Sequence, residues 1–398
     1  MADVTDQQTT EAVPEYEFLL AKPADAWTTV ARDRERCPVA HNPRIEAYQV
    51  SSYRAVDQVL RDWNAFSSRG TVDSHQEEIL AFTDPPRHTR QRRLFTAALS
   101  PRRMEEARPS IQRRADALVD GLAGRGSFDV VEEFANPLVL GVICDLLGVP
   151  EEDIPRFRSW TKAAERNSYR PDPVRTEELR EFRRYSYALI AARRADALPR
   201  DDLLTALLHA EWEDDRLEDR EVANILEFLL VSANSTTTDA IGSLVWALEC
   251  HPEEKAKLLA DPDGVLPAAV EEILRYEGPI HALQRTTTAD TELDGCPIPA
   301  GARLLNLYGA ASRDPEVFED ADRFKVDRDW THLPHHFGFG WGIHFCLGAH
   351  LARTEIAVAV RTIYDRFPAL RIAPGFEPEQ VDAPFLRGWR EIVVEVGG

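Results

Sequence analysis

Phe339-Gly340-Trp341-Gly342-Ile343-His344-Phe345-Cys346-Leu347-Gly348, continued by Ala349-His350-Leu351-Ala352-Arg353, is the stretch from which this chain is read. Gly338, Gly340 and Gly342 lead into one cysteine, and an apolar segment of good helix formers follows from Leu347 to about Tyr364. A cysteine at the mouth of a helix meets the positive end of the helix dipole and several unpaired backbone N–H groups. Both favour thiolate over thiol. Glycines just before it let the backbone turn tightly and lie flat against a large planar ligand. A thiolate ligand to heme iron needs this combination.

Two other readings compete for the same residues. A dinucleotide-type glycine loop requires a preceding strand and the third glycine of G-x-G-x-x-G, and Ile343 stands at that place. A zinc site could be drawn from His332, His335, His336, His344 and Cys346, but the cysteine is single and no C-x-x-C pair supports it. The order Phe-Gly-x-Gly-x-His-x-Cys-x-Gly resembles the heme-binding loop of the cytochrome P-450 family at every fixed position. That resemblance implies heme b as cofactor, Cys346 as its metal ligand, and Phe339, Gly340 and Gly348 as residues that cradle it.

Composition sets the outer bounds. The chain has 398 residues, 43% hydrophobic and 29% charged, which suits an ordinary globular protein with one large domain or two. Its longest apolar candidate, Ile225 to Ile241, is interrupted by Glu227, Asn234, Ser235 and Asp239, so no membrane span is expected. Residues 1–20 read as a disordered acidic tail without signal-peptide features, and residues 21–398 as the domain. A net charge of −21 argues against nucleic acid as partner, because phosphate binding needs clustered Lys and Arg. Five scattered cysteines exclude a complete disulfide framework and suit a reducing cytoplasm.

Hydrophobic periodicity predicts helices at Trp27–Arg36, Tyr53–Arg61, from Arg87 onward, Ile111–Leu122, Pro137–Leu147, Ile154–Ala164, Arg175–Arg194 and Asp202–Glu211. A further helix starts at Pro101 after Ser100, the longest runs from Asp219 to near Cys250, and another spans Pro267–Tyr276. Alternation predicts strands at Glu46–Val50, around Leu293, Ile298 and Arg303–Leu307, and at Ile392–Val396. The expected class is mainly α with small β-sheets in one large domain, which matches the cytochrome P-450 fold that the resemblance implies.

Other constellations fit that resemblance in chain order. Glu272 and Arg275 lie at i and i+3 on one helix face, an arrangement that alone reads as a surface ion pair. With Arg323 they resemble the buried Glu-Arg-Arg cluster that braces the family's cysteine loop. Asp84-Pro85-Pro86-Arg87-His88-Thr89-Arg90-Gln91-Arg92 resembles the helix that reaches the heme carboxylates. His88, Arg92, Arg285 and His344 are therefore expected to compensate two propionates in an apolar pocket.

Phe228 to Thr238 resembles the helix that crosses the family's oxygen face. The usual acid is replaced by Ser235, while Thr236 matches the usual threonine. A hydroxyl here can bond back to the preceding turn and open the helix locally. Asn234, Ser235 and Thr236 are the catalytic candidates. The expected reaction is hydroxylation or oxidative demethylation of a small hydrophobic substrate by dioxygen, with electrons from a separate ferredoxin or flavodoxin and its NAD(P)H reductase. The missing acid leaves open a peroxide-using or nitric-oxide-reductase-like enzyme, and a non-catalytic heme-binding protein is the separate alternative of another class. By position, Phe82, Leu230, Ile280, Leu283 and Phe385 are the substrate-pocket candidates, and His281 could add a hydrogen bond.

Overall fold

The computed structural model describes residues 23–70, 79–99, 101–169, 173–381 and 385–397. The expected tail boundary near residue 21 lies outside them. The first half runs α1 (Pro23–Arg36), β1 (Val39–Asn42), β2 (Ala47–Val50), α2 (Tyr53–Arg61), β3 (Phe66–Ser67), α3 (Arg87–Ala98), α4 (Pro101–Leu122) and β4 (Ser127–Asp129). Next come α5 (Asn136–Leu147), α6 (Ile154–Tyr169), α7 (Pro173–Ala195), α8 (Leu203–His209), β5 (Glu211–Trp212) and β6 (Asp215–Arg216). The central helices are α9 (Asp219–Ser232) and α10 (Asn234–Cys250), followed by α11 (Pro252–Ala260) and α12 (Pro262–Tyr276). The remainder is β7 (Ala282–Thr287), β8 (Thr291–Leu293), β9 (Cys296–Ile298), β10 (Arg303–Leu307), α13 (Tyr308–Ala311), α14 (Ala349–Arg366), β11 (Arg371–Ile372) and β12 (Val393–Glu395).

Local chemistry explains the helix starts. Ser52 caps α2 by accepting from Ala55 N–H at 3.3 Å, and Val56, Val59 and Leu60 then fall on its buried face. Asp202 and Asp261 cap α8 and α12 by accepting from Thr205 N–H at 2.7 Å and Gly264 N–H at 3.0 Å. Glu218 and Glu221 form a reciprocal capping box at the start of α9. Gly148, in the left-handed region with φ 66°, ends α5.

One core takes side chains from Leu94 to Val394 and is built mainly where α4, α5, α10, α12 and α14 pack together. Leu138, Ile241, Leu244, Ile273, Val360 and Ile363 are each wholly buried there. Each such side chain contributes roughly 1.5–3 kcal/mol of burial. Beside this helical body, one sheet has the order β1-β2-β10-β7-β3, with only the β2–β10 pair parallel. A smaller sheet, β11-β12-β4, joins the C-terminal strand to the start of the α5 region. No helix among the described residues is long and apolar enough to cross a membrane.

The expected single helix from Asp219 to Cys250 is broken at Ala233 (φ −90°, ψ −28°). Ser232 Oγ donates to Phe228 C=O and Thr236 Oγ1 to Ser232 C=O, each at 2.7 Å. Hydroxyls thus engage carbonyls of the helix at the break, which favours bending there.

Candidate active site

The cysteine loop is shaped by glycine. Gly340 and Gly342 adopt φ 64° and 67°, and a Cβ on Gly342 would stand 2.1 Å from Leu60 C=O. Only glycine fits that approach. The loop closes on itself, with Gly340 N–H donating to Phe337 C=O at 2.8 Å and Cys346 N–H to Phe339 C=O at 3.0 Å. Trp341 stacks on His335 at 3.5 Å, and Arg353 lies 4.4 Å over Phe339.

Cys346 carries open surface, yet burial pushes its thiol above the ordinary range. The Gly348 N–H, Arg92 and Arg353 act in the opposite direction and favour thiolate. Desolvation is the larger influence on the free thiol, and the donor at the helix mouth opposes it. His335 and His336 are engaged elsewhere: His336 Nε2 lies 3.0 Å from Glu271, whose carboxylate also takes Arg353 at 2.5 and 2.9 Å.

The bracing cluster differs from expectation in one member. Arg275 donates to both oxygens of Glu272, at 2.9 and 2.8 Å, and both residues are fully buried. The second guanidinium on that carboxylate belongs to Arg328, which donates at 2.8 and 3.2 Å. Arg323 has an exposed side chain and supplies only its carbonyl, which accepts from Arg275 and Arg328. The 320–323 turn, with Arg323 N–H bonded to Asp320 C=O, presents backbone inward and side chain outward. Arg328 was present in Asp327-Arg328-Asp329, but nothing in linear spacing separates it from Arg323. The cluster reaches the cysteine loop through Ser312, whose carbonyl accepts from Arg275 and whose hydroxyl accepts from Phe337 N–H.

His88, Arg92, Arg285 and His344 come together. The His88 and His344 rings lie 4.5 Å apart, and His344 Nε2 is 2.9 Å from Ser68 Oγ. Arg92 donates to Phe345 C=O at 2.8 Å and Arg285 to Gln284 C=O at 2.7 Å. Neither guanidinium has a carboxylate partner among the described residues. Burial pushes His88 down to about 4, with Arg92 adding to the effect, and Asp84 opposes it weakly. His344 falls to about 2 through burial and the charges of Arg285, His88 and Arg92. His88 Nε2 is buried without a partner. An unneutralised group of two guanidiniums and two imidazoles, with one orphaned ring nitrogen, has the chemistry to hold a dianion. A heme with two carboxylates fits this donor set, and Cys346 fits its iron.

On the opposite wall, Thr236 and Asn234 are two residues apart in α10 and do not share a face. Asn234 is fully buried with both carboxamide atoms unpartnered, as is the hydroxyl of Thr238 one turn on along the same face. Asn234 and Thr236 thus leave different faces of the helix. Ser235 is buried beside them and bears no charge.

The substrate candidates scatter. Phe82 meets Phe228 edge-on at 6.2 Å, while Ile280 and Leu283 pack toward the core of the five-stranded sheet. Phe385 turns against Val30 and Ala282, so packing rather than an open pocket accounts for much of its surface. The side chain of Leu230 and residues 71–78 lie outside the described set. His281 is buried beneath Trp27, at 4.9 Å between rings, with its Nε2 buried and without a hydrogen-bond partner. A surface groove of about 670 Å³ involves Trp63, Arg90, Arg93 and Trp212, on residues of α3 other than His88 and Arg92.

The chain is similar to known proteins along most of its length. The family model described as Cytochrome P450 matches residues 175–387. The chain is 38% identical over 374 residues to cytochrome P450 107B1 of Saccharopolyspora erythraea, covering 89% of this chain and 90% of that one. It is 34% identical to the 6-deoxyerythronolide B hydroxylase of the same organism, covering 94% and 91%. The crystal structure of CYP109E1 from Bacillus megaterium with testosterone superposes with a TM-score of 0.86 at 32% identity, covering 94% and 99%.

Proposed function

The chain belongs to the cytochrome P450 family, and from that premise we propose that it hydroxylates a hydrophobic, secondary-metabolite-sized substrate using dioxygen and a separate electron donor. The family binds heme b and its enzymes are oxidoreductases of the monooxygenase type. When bound, the heme supplies the iron at which dioxygen is activated. Cys346 is the proposed iron ligand, with Arg92 and Gly348 N–H steadying its thiolate. His88, Arg92, Arg285 and His344 are the proposed anchors of the two propionates. The single observation that carries the reading is the glycine-shaped loop that leaves Cys346 exposed beside this cationic group, with Arg92 bonded to the adjacent Phe345 C=O.

Thr236 is the residue proposed to manage a proton. Its Oγ1 donates to Ser232 C=O, which leaves its lone pairs to accept from a water or a ligand. Ser235 relays through hydroxyl and water because it cannot ionise at neutral pH. The donor is proposed to be a ferredoxin or flavodoxin with its NAD(P)H reductase. A macrocyclic or polycyclic substrate is supported by the relative named for 6-deoxyerythronolide B and by the structural neighbour holding testosterone.

The purified holoprotein, reduced under CO, is expected to show a red-shifted Soret band that disappears in Cys346→Ala. A protein that binds no heme overturns the reading. The replaced acid favours two further readings, reduction of nitric oxide and use of peroxide. NADH oxidation driven directly by NO, without a ferredoxin, is the outcome that selects the reductase, and turnover with peroxide alone selects the peroxide user.

A further inference from the structure

Two free thiols outside the cysteine loop are brought together by the fold. Cys37 follows α1, where its N–H donates to Asp33 C=O at 2.9 Å, and its side chain is exposed. Cys296 is the first residue of β9 and is half-buried. Cys37 Sγ donates to Val39 C=O at 3.0 Å, which holds it against the start of β1.

One corner of the sheet connects the two. Val39 pairs with Val50, and Ser51 N–H and Oγ donate to Pro38 C=O at 2.9 and 3.0 Å, which brings Cys37 level with Ser52. Ser52 Oγ donates to Asp294 Oδ2 at 2.7 Å, and Arg54 pairs with the same carboxylate. Asp294 and Gly295, at φ 50° and 76°, form the two-residue turn between β8 and β9. Cys296 stands directly opposite Leu293 across that turn. Opposed residues of an antiparallel pair share a face, so Cys296 follows the wholly buried Leu293 toward the small core that holds Val39, Val50 and Val56. The two sulfurs also sense each other: burial pushes the Cys296 thiol up, and the neighbouring Cys37 pushes it further.

We propose that Cys37 and Cys296 are a modification site, which a low-molecular-weight disulfide converts to a reversible bond tying the end of α1 to the β8–β9 hairpin. Cys37 is the attacking thiol, because it is the exposed one. Its thiolate attacks the small disulfide, whose S–S bond breaks and releases one thiolate. Cys296 then gives its proton to solvent and attacks the Cys37 sulfur, expelling the second small thiolate. Two protein thiols are oxidised, and one small disulfide is reduced to two thiols. Cys346 takes no part, so this site lies outside the iron chemistry of the proposed function.

The test incubates holoprotein with oxidised glutathione, quenches it with acid and an alkylating agent, and maps the digest. Wild type is expected to lose two of its five thiols and about 2 Da of intact mass, and to give one linked peptide pair holding Cys37 and Cys296. Dithiothreitol is expected to reverse all three changes, and the CO band is expected to stay unmoved. Cys37→Ser and Cys296→Ser should each abolish the linked pair, while Cys250→Ser keeps it. In urea-unfolded protein the pair should lose its preference over other pairings, because closing so long a loop is then unassisted. Glutathione retained on Cys37 without a bridge, a linked pair containing Cys250, a dimer joined through Cys37, or equal pairing after unfolding would each overturn the inference. Should Cys296→Ser fail to fold, Cys37→Ser, at an exposed position, decides alone. A wild-type protein without a CO band sinks the proposed function instead, and the peptide map still judges the thiol pair.

Discussion

Arg328 Nε stands 2.8 Å from Glu272 Oε2, on a carboxylate that Arg275 already grips from within its own helix. The three charges are buried, so each depends on the others for the solvation it has lost. Arg328→Ala is expected to destabilise the protein by about 3–5 kcal/mol, because it leaves part of a buried carboxylate uncompensated. Arg323→Ala, at an exposed side chain, is expected to stay within about 0.5 kcal/mol. Chemical denaturation of the two variants checks the assignment, and equal losses would return Arg323 to the cluster.

Gly342 is closed to any side chain both by its φ of 67° and by the Leu60 carbonyl 2.1 Å from a built Cβ. Gly342→Ala is expected to cost at least about 2–3 kcal/mol and to lower heme content. Gly375→Ala, at φ 76° in open space, serves as the comparison and is expected to cost only about 1 kcal/mol. A heme titration alongside denaturation reads both effects.

The orphaned Nε2 of His88 and the uncompensated Arg92 are expected to matter for cofactor retention before they matter for folding. Arg92→Leu should weaken heme binding about tenfold or more, in line with roughly 1.5–3 kcal/mol for a hydrogen bond to a charged group. Transfer of heme to an excess of apomyoglobin measures it. Unchanged transfer rates in both Arg92→Leu and His88→Leu would remove these residues from the propionate site.

Glu227 in α9 is pushed up to about 7 by burial, with Arg183 only 2.6 Å away pulling the other way. Its folded value lies above the unfolded one, so its favourable contribution is complete below about pH 4.5 and is lost as pH rises toward 7. Wild type is thus expected to lose on the order of 2 kcal/mol through this window relative to Glu227→Gln. Urea unfolding at several pH values compares the two. Parallel curves would show that the ion pair with Arg183 outweighs desolvation.

Thr236→Ala removes the hydroxyl at the helix break and is expected to raise peroxide release several-fold per electron pair consumed. Ser235→Asp restores the usual acid and is expected to shift the same ratio of product to peroxide. Unchanged coupling in both variants would remove the hydroxyl relay.

The short-range content of this site was legible in the chain. Cys346 with its glycines, the His88–Arg92 pair at one helical turn, and the Glu272–Arg275 pair at i and i+3 are set by local spacing. Helices such as Tyr53–Arg61 were readable for the same reason, since a cap and a periodic apolar face lie within a few residues. Asn234 and Thr236 stand together in the stretch that resembles the family's oxygen-face helix, and the helical rotation puts them on different faces.

What linear order could not decide was which distant groups meet. Arg328 rather than Arg323 faces Glu272, and Glu277 finds Trp27, Arg313 and Arg387 across up to 250 residues. Charges of one type are interchangeable in a sequence. Burial selects among them, because only the side chains that packing turns inward must find partners. The sequence by itself therefore determined the thiolate loop and the kind of cofactor it suits. The tertiary structure decided which arginines brace that loop, which carboxylate ties Trp27 to Arg313 and Arg387, and where the central helix breaks.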